Sequence, residues 1–182
     1  MKVAVLLANG FEEVEALTVV DYLRRVDISV DMVSITNNNN VGGAHNIEVV
    51  SNKVIDEIKE SDYKAVIIPG GMPGAQNLKD SSKVIDFVEK MSRAKKLLAA
   101  ICAGPIVLSK ADVIKDKKIT SYPGFEKELN FKEYKEEAVV IDDNVITARG
   151  PYFAVDFALA IIEYLIDKET AEKVKEDILY KK

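Results

Sequence analysis

An α/β fold with a mostly parallel sheet covered on both faces is what this sequence predicts. Short apolar or β-branched runs recur at Val3–Ala8, Ile28–Thr36, Ala65–Pro69, Leu97–Ile101 and Val145–Ala148. Most are separated by ten to twenty residues of helical pattern. Continuous apolar strands alternating with helices are the signature of strands buried on both faces. Hydrophobic residues make up 48% and charged residues 30% of the chain, a globular composition.

Taken in order, the first apolar run leads into Val14, Leu17, Val20, Leu23 and Val26, apolar positions that include helical spacing, as expected of a crossover helix. Asn37–Asn40 is a polar cluster too short for a low-complexity segment, and reads as a turn. Asn46–Ser51 forms an extra short strand. Between the third and fourth main runs, Val84, Ile85, Val88 and Met91 mark a second crossover helix. Ala138–Ile141 is another short strand, turning at Asp142-Asp143-Asn144 into Val145–Ala148. Phe153 to Leu165 is a strongly apolar helix, and a more charged one, Glu169–Lys182, follows.

The 182 residues suit one domain, 1–182, with a core that needs no staples. No apolar stretch approaches the roughly 20 residues that cross a bilayer, so no membrane association is expected. The N-terminal run is too short for a signal-peptide core, and a lone cysteine cannot staple the chain to itself. Both features predict a cytoplasmic protein. A formal net charge of −5 without a basic stripe argues against nucleic acid as a partner. One His and one Cys cannot build a structural zinc site, so no metal is expected. The glycine-containing loops lack both a following Lys-Ser/Thr and a G-x-G-x-x-G pattern, which disfavours nucleotide binding.

Ligands of parallel α/β sheets bind beyond the carboxyl ends of the strands. Four loops lie there: Asn9–Glu15, Pro69–Gly74, Cys102–Pro105 and Arg149–Pro151. Cys102 stands between a buried strand and the mouth of a helix, where free N–H groups and the helix dipole favour thiolate. Core filling beside Ile101 accounts for its position equally well. The segment departs from the G-x-nucleophile-x-G elbow by carrying Ala100 in place of the first glycine. Glu12 and Glu13 are explained by starting a helix. Glu15 is either exposed, the default for a first turn, or turned into the crevice, where a carboxyl beside an anionic sulfur keeps its proton. Gly70-Gly71 serves as a tight turn, or brings a backbone N–H beside that of Ala103 to form an oxyanion hole. His45, the one histidine, reads as a surface residue more readily than as a base.

As a set, Asn9–Glu15, Pro69–Leu78, Ala99–Pro105 and Arg149–Pro151 resemble the ThiJ/PfpI superfamily, and its DJ-1 branch most closely, over essentially the whole chain. The resemblance implies a flavodoxin-like three-layer sandwich and a homodimer. It implies Cys102 as nucleophile, Glu15 as the protonated carboxyl touching it, and Gly71 and Ala103 as oxyanion donors. His45 and Arg25 fall where that branch carries basic residues near the partner subunit's site. Two departures stand out: Ala103 follows the cysteine where the protease-like branch has histidine, and Tyr122 precedes Pro123 where the DJ-1 branch has histidine. Peptidase and glutaminase activities are disfavoured accordingly. The expected function is cofactor-free glyoxalase- or deglycase-type conversion of a small aldehyde, methylglyoxal or glyoxal. That reaction would run through a hemithioacetal on Cys102, with Glu15 as proton shuttle. The alternative is an oxidative-stress sensor or protective chaperone acting through oxidation of Cys102.

Overall fold

The computed structural model describes residues 1–180. Its centre is a seven-stranded sheet formed by β1 (Lys2–Leu7), β2 (Ser29–Ser34), β5 (Lys53–Val54), β6 (Ala65–Ile68), β7 (Leu97–Ile101), β10 (Val139–Asp142) and β11 (Val145–Ala148). The spatial order is β10-β11-β7-β6-β1-β2-β5. Every pairing is parallel except β10 with β11, a hairpin in which Val139 faces Ala148. The expected mostly parallel sheet is present, with one antiparallel edge strand.

Alternation along β1 shows why the sheet needs two coats. Val3, Val5 and Leu7 point into one apolar cluster, and Ala4, Leu6 and Ala8 into the other. The first cluster is closed by α1 (Glu13–Arg25), α5 (Ala154–Leu165) and α6 (Lys168–Asp177). The second is closed by α2 (Gly74–Asp80), α3 (Ser82–Arg93) and α4 (Pro105–Lys110). On α3, Val84, Val88 and Met91 are buried as the sequence spacing predicts; Phe87 joins them, while Ile85 is only partly buried. On α5, Phe157, Ala158, Ile161 and Ile162 have no exposed surface, which is why this helix is so apolar. The last helix begins one residue before the expected Glu169; Lys181 and Lys182, included in that expectation, lie outside the described residues.

Three features depart from the sequence reading. The loop Pro69–Gly74 ends where Gly74 opens the seven-residue α2, a helix the sequence reading did not include. The helix after Cys102 has only six residues. The short strand expected at Asn46–Ser51 narrows to β4 (Glu48–Val50). It pairs antiparallel with β3 (Asn40–Gly42), which begins at the last residue of the Asn37–Asn40 turn, and this hairpin stands apart from the main sheet. Two further two-residue strands, β8 (Lys118–Ile119) and β9 (Glu133–Tyr134), pair with each other.

The β3–β4 hairpin is clipped to the start of α1. Gly10 N–H donates to Gly42 O at 2.8 Å, and Ala44 N–H to Phe11 O at 2.8 Å. The Glu13 carboxylate accepts from His45 N–H at 2.7 Å and pairs with His45 Nδ1 at 2.8 Å. Only 3% of Glu13 is exposed, so removing its carboxylate strands the donors it serves. Hydrogen bonds to a charged acceptor contribute about 1.5–3 kcal/mol. Glu13→Ala should therefore destabilise the protein by about 2–3 kcal/mol in urea unfolding, with amide protection of β3 and β4 lost ahead of that of β1 and β6. A hairpin exchanging no faster than in the unsubstituted protein would contradict the clip.

Candidate active site

Cys102 directly follows β7, and its backbone is left-handed, at φ +62°. A non-glycine residue seldom takes this conformation, and an elbow of this kind turns the side chain away from the strand. Two contacts hold the strained residue. Its N–H donates to Ala148 O at 2.9 Å, and its carbonyl accepts from Tyr122 N–H at 2.9 Å. The elbow therefore forms with Ala100 in place of glycine. The sulfur-bearing residue is partly buried, not lost in the core.

Glu15 comes from the first turn of α1 and is fully buried, so the exposed alternative is wrong. Its Oε2 accepts from Gly70 N–H at 2.7 Å. Its Oε1 is buried without a hydrogen-bond partner, and the carboxyl lies beside Cys102 and is coupled to it electrostatically. Gly70 makes this approach possible: a Cβ there would lie 2.7 Å from both the Cys102 Cβ and Glu15 Oε2. The backbone N–H groups of Ala103 and Gly71 are directed at the sulfur. Cys102, Glu15, Gly71 and Ala103 thus share one site, assembled from the ends of β1, β6 and β7.

Burial pushes the Glu15 carboxyl up to about 7, against the opposing pull of the Gly70 N–H and Cys102. Burial also pushes the Cys102 thiol up, reinforced by the neighbouring Glu15 charge, while the amides of Ala103 and Gly71 pull it down. Two negative charges in one buried site are costly, so the pair keeps at least one proton at neutral pH. This amends the expectation of a thiolate made by the helix mouth. The helix there is six residues long, its dipole weak against the desolvation of the sulfur. The proton belongs to the pair.

His45 lies apart from this chemistry. Its Nδ1 is 2.8 Å from Glu13 Oε2 and 3.7 Å from Glu12 Oε2, and 67% of its side chain is exposed. The Glu13 contact raises the His45 pKa, and the His45 contacts in turn bring Glu13 below the ordinary carboxylate range despite its burial. Glu13 is the residue the sequence reading missed. Starting a helix explains its type, and only the tertiary clip explains its burial. Arg25 pairs with Asp21 at 2.8 Å at the far end of α1. With a rise of about 1.5 Å per residue, roughly 18 Å of helix separates it from Glu13, so one chain does not bring it to the sulfur.

Among the described residues, Glu12, Glu13 and His45 are the one group of three His, Cys, Asp or Glu side chains close enough to hold a metal ion. Both Glu13 oxygens are already engaged by the hairpin, and the cluster sits at the positive end of α1, which opposes a cation. No described helix is long and apolar enough to cross a membrane.

The profile of the DJ-1/PfpI family matches residues 1–164. Protein dj-1beta of Drosophila melanogaster is 34% identical over 96% of this chain and 95% of its own length. The Parkinson disease protein 7 homolog of Danio rerio is 34% identical over 97% of this chain and 96% of its own. The solved structure of oxidized Toxoplasma gondii DJ-1 superposes with a TM-score of 0.94 at 34% identity, covering 100% of this chain and 99% of that one. Against the Arabidopsis thaliana proteins DJ-1 homolog A and homolog B, the matched region spans 44% and 39% of their lengths. Profile, relatives and superposition agree: the chain belongs to the DJ-1/PfpI family.

Proposed function

We propose that this chain is a cysteine-dependent, cofactor-free catalyst of the glyoxalase or deglycase type, acting on small reactive carbonyls such as methylglyoxal or glyoxal. The observation that carries this reading is the fully buried Glu15 carboxyl placed beside the chain's only thiol. A carboxyl titrating at about 7 is matched to proton transfer at neutral pH. Sγ adds to the aldehyde carbon, the C=O π pair moves to oxygen, and the thiol proton passes through Glu15 to that oxygen. The Glu15 carboxylate then removes the C–H proton of the former aldehyde carbon and returns it to the adjacent carbonyl carbon, while the hydroxyl proton moves from the former aldehyde oxygen to the neighbouring oxygen. The hemithioacetal becomes a thioester of a 2-hydroxy acid. Water cleaves the thioester, restoring the thiol, and the net change is addition of one water to the dicarbonyl. The amides of Gly71 and Ala103 act on the sulfur, two bonds from the adduct oxygen that develops charge.

Peptidase activity is not part of the proposal, because the single histidine is committed to Glu13. The partly exposed sulfur supports a second reading, a stress sensor or protective chaperone. There, two equivalents of peroxide would convert the thiol to a sulfinic acid and release two waters, the oxidised sulfur accepting a hydrogen bond from Glu15. A homodimer also belongs to the proposal. Val14 on α1 and Ile47 and Val50 on the clipped hairpin are 53%, 52% and 64% exposed, an apolar face suited to a second copy. His45 borders that face, and a role for it or Arg25 in the site would have to be exercised across the pair.

Methylglyoxal turnover to lactate by reduced protein should fall at least a hundredfold in both Cys102→Ser and Glu15→Gln. In the unsubstituted protein, kcat/KM should rise with pH to a plateau above about 7. Negligible turnover, with Cys102 gaining two oxygens by mass at low peroxide, would replace the enzyme by the sensor.

Stability gives an independent check on Glu15. The folded state holds this proton more tightly than the unfolded chain, so stability falls as pH rises from 4.5 to about 7 and levels off above. At 1.36 kcal/mol per pKa unit, the full loss is about 3 kcal/mol. In Glu15→Gln, whose amide oxygen still accepts from Gly70, the stability gain over the unsubstituted protein should be about 2–3 kcal/mol larger at pH 8 than at pH 5. A gain independent of pH would show that the carboxyl does not titrate in that interval.

The dimer is tested by sedimentation. The unsubstituted chain should sediment as a dimer at micromolar concentration and Ile47→Glu as a monomer. A monomeric unsubstituted chain would remove the dimer from the proposal.

A further inference from the structure

Two segments flank the backbone of Cys102. Tyr122 N–H bonds to its carbonyl, and its own N–H bonds to Ala148, which leads into Arg149-Gly150-Pro151. The two segments meet where a Cβ on Gly150 would come within 3.2 Å of the Tyr122 ring. Between them opens a cavity of about 240 Å³, walled by Tyr122, Pro123, Pro151, Tyr152 and Phe153, with Arg149 at its side.

The chemistry of these walls is one-sided. Tyr152 is 87% exposed and packs edge-to-face on Phe153 at 5.1 Å between centroids; Tyr122 is 48% exposed. Aromatic rings concentrated in one exposed hollow mark a surface that gains by being covered. The one cation is already engaged: an Arg149 Nη1 donates to Glu136 O at 3.1 Å and lies 3.9 Å from the Glu136 carboxylate. An anion is therefore not what the hollow requires. At this size, below the roughly 300 Å³ where drug-sized pockets begin, it suits one small flat ring, which aromatic walls hold by stacking and edge contacts.

We infer that this alcove is a binding site for an aryl group, and that the carbonyl compounds taken best at Cys102 carry a flat aromatic substituent in place of the methyl of methylglyoxal. The inference rests on the reading of Cys102 as a nucleophile and adds the substrate class. Tyr122 then fills a specificity role, standing where proton transfer by an imidazole is absent.

The test uses the single thiol and needs no turnover. Iodoacetamide and N-phenyliodoacetamide both alkylate sulfur, forming the S–C bond as iodide leaves and the thiol proton passes to base. The ratio of their rate constants on the full chain, divided by the same ratio on glutathione, isolates the contribution of the alcove. We expect a ratio at least tenfold above that of glutathione, falling toward it in Tyr152→Ala and in Tyr122→Leu. Tyr152 is nearly all exposed, so its substitution leaves folding intact. Alkylation by both reagents at the glutathione ratio, or a preference that both substitutions leave unchanged, would overturn the alcove alone. A preference that appears only on dilution to monomer would assign the hollow to a second copy and equally overturn it. A Cys102 inert to both reagents, while the urea-unfolded chain reacts, would bring down the nucleophile reading and this inference with it.

Discussion

A carboxyl with no access to water rests beside the protein's only thiol, and much of the nearby backbone is shaped to permit that contact. Burying an ionisable group raises the free energy of its charged form, so the pair survives only where other packing offsets the cost. Here the offset comes from a sheet filled on both faces, with each of β1, β6 and β7 completely buried beyond Lys2. Gly70 leaves room for the carboxyl, and Cys102 accepts a left-handed backbone to meet it. Strain of this kind persists when surrounding contacts over-determine it, as the hydrogen bonds to Ala148 and Tyr122 do.

The first turn of α1 serves two unrelated ends. Residues two apart on a helix project about 200° apart, so Glu13 and Glu15 cannot face the same way. Glu15 turns toward the sulfur, and Glu13 toward the hairpin, where it gathers donors from His45 and Ile47. Glu12 N–H, between them, bonds to Gly70 O at 2.9 Å and ties the helix start to the loop after β6. One turn thereby fixes the Glu15 carboxyl, the glycine loop and the β3–β4 hairpin relative to one another.

The layered fold was legible because its signals are periodic: apolar runs for strands buried on both faces, and the Val84, Val88, Met91 spacing for α3. The position of Cys102 was legible because the end of a buried parallel strand is a place the topology makes special. Glu15 was harder. Its burial depends on Gly70 and Cys102, both distant in sequence, and no local pattern separates it from Glu12 or Glu13. The Glu13–His45 clip, the hairpin within Asn40–Val50 and the aromatic hollow at Tyr122 are tertiary in origin. The clip and the hollow are each made by segments tens of residues apart, and the hairpin's short polar strands, β3 among them, carry no periodicity to read.

The ionisation of the pair shows how position and environment compete. The site's amides are divided: Gly70 N–H bonds the carboxyl, while the N–H groups of Ala103 and Gly71 are directed at the sulfur. Each set favours charge on its own atom, and burial opposes charge on both. The two ways of placing one proton, thiol with carboxylate or thiolate with carboxylic acid, carry the same net charge, so moving the proton between them leaves the charge of the buried site unchanged. That is the property a proton shuttle beside a nucleophile requires. Forming the S–C bond removes the sulfur's share of the negative charge, and the proton it gives up reaches a carboxylate already desolvated and held in place. In the proposed mechanism, the burial that makes Glu15 expensive to ionise also makes its carboxylate a stronger base than an exposed one.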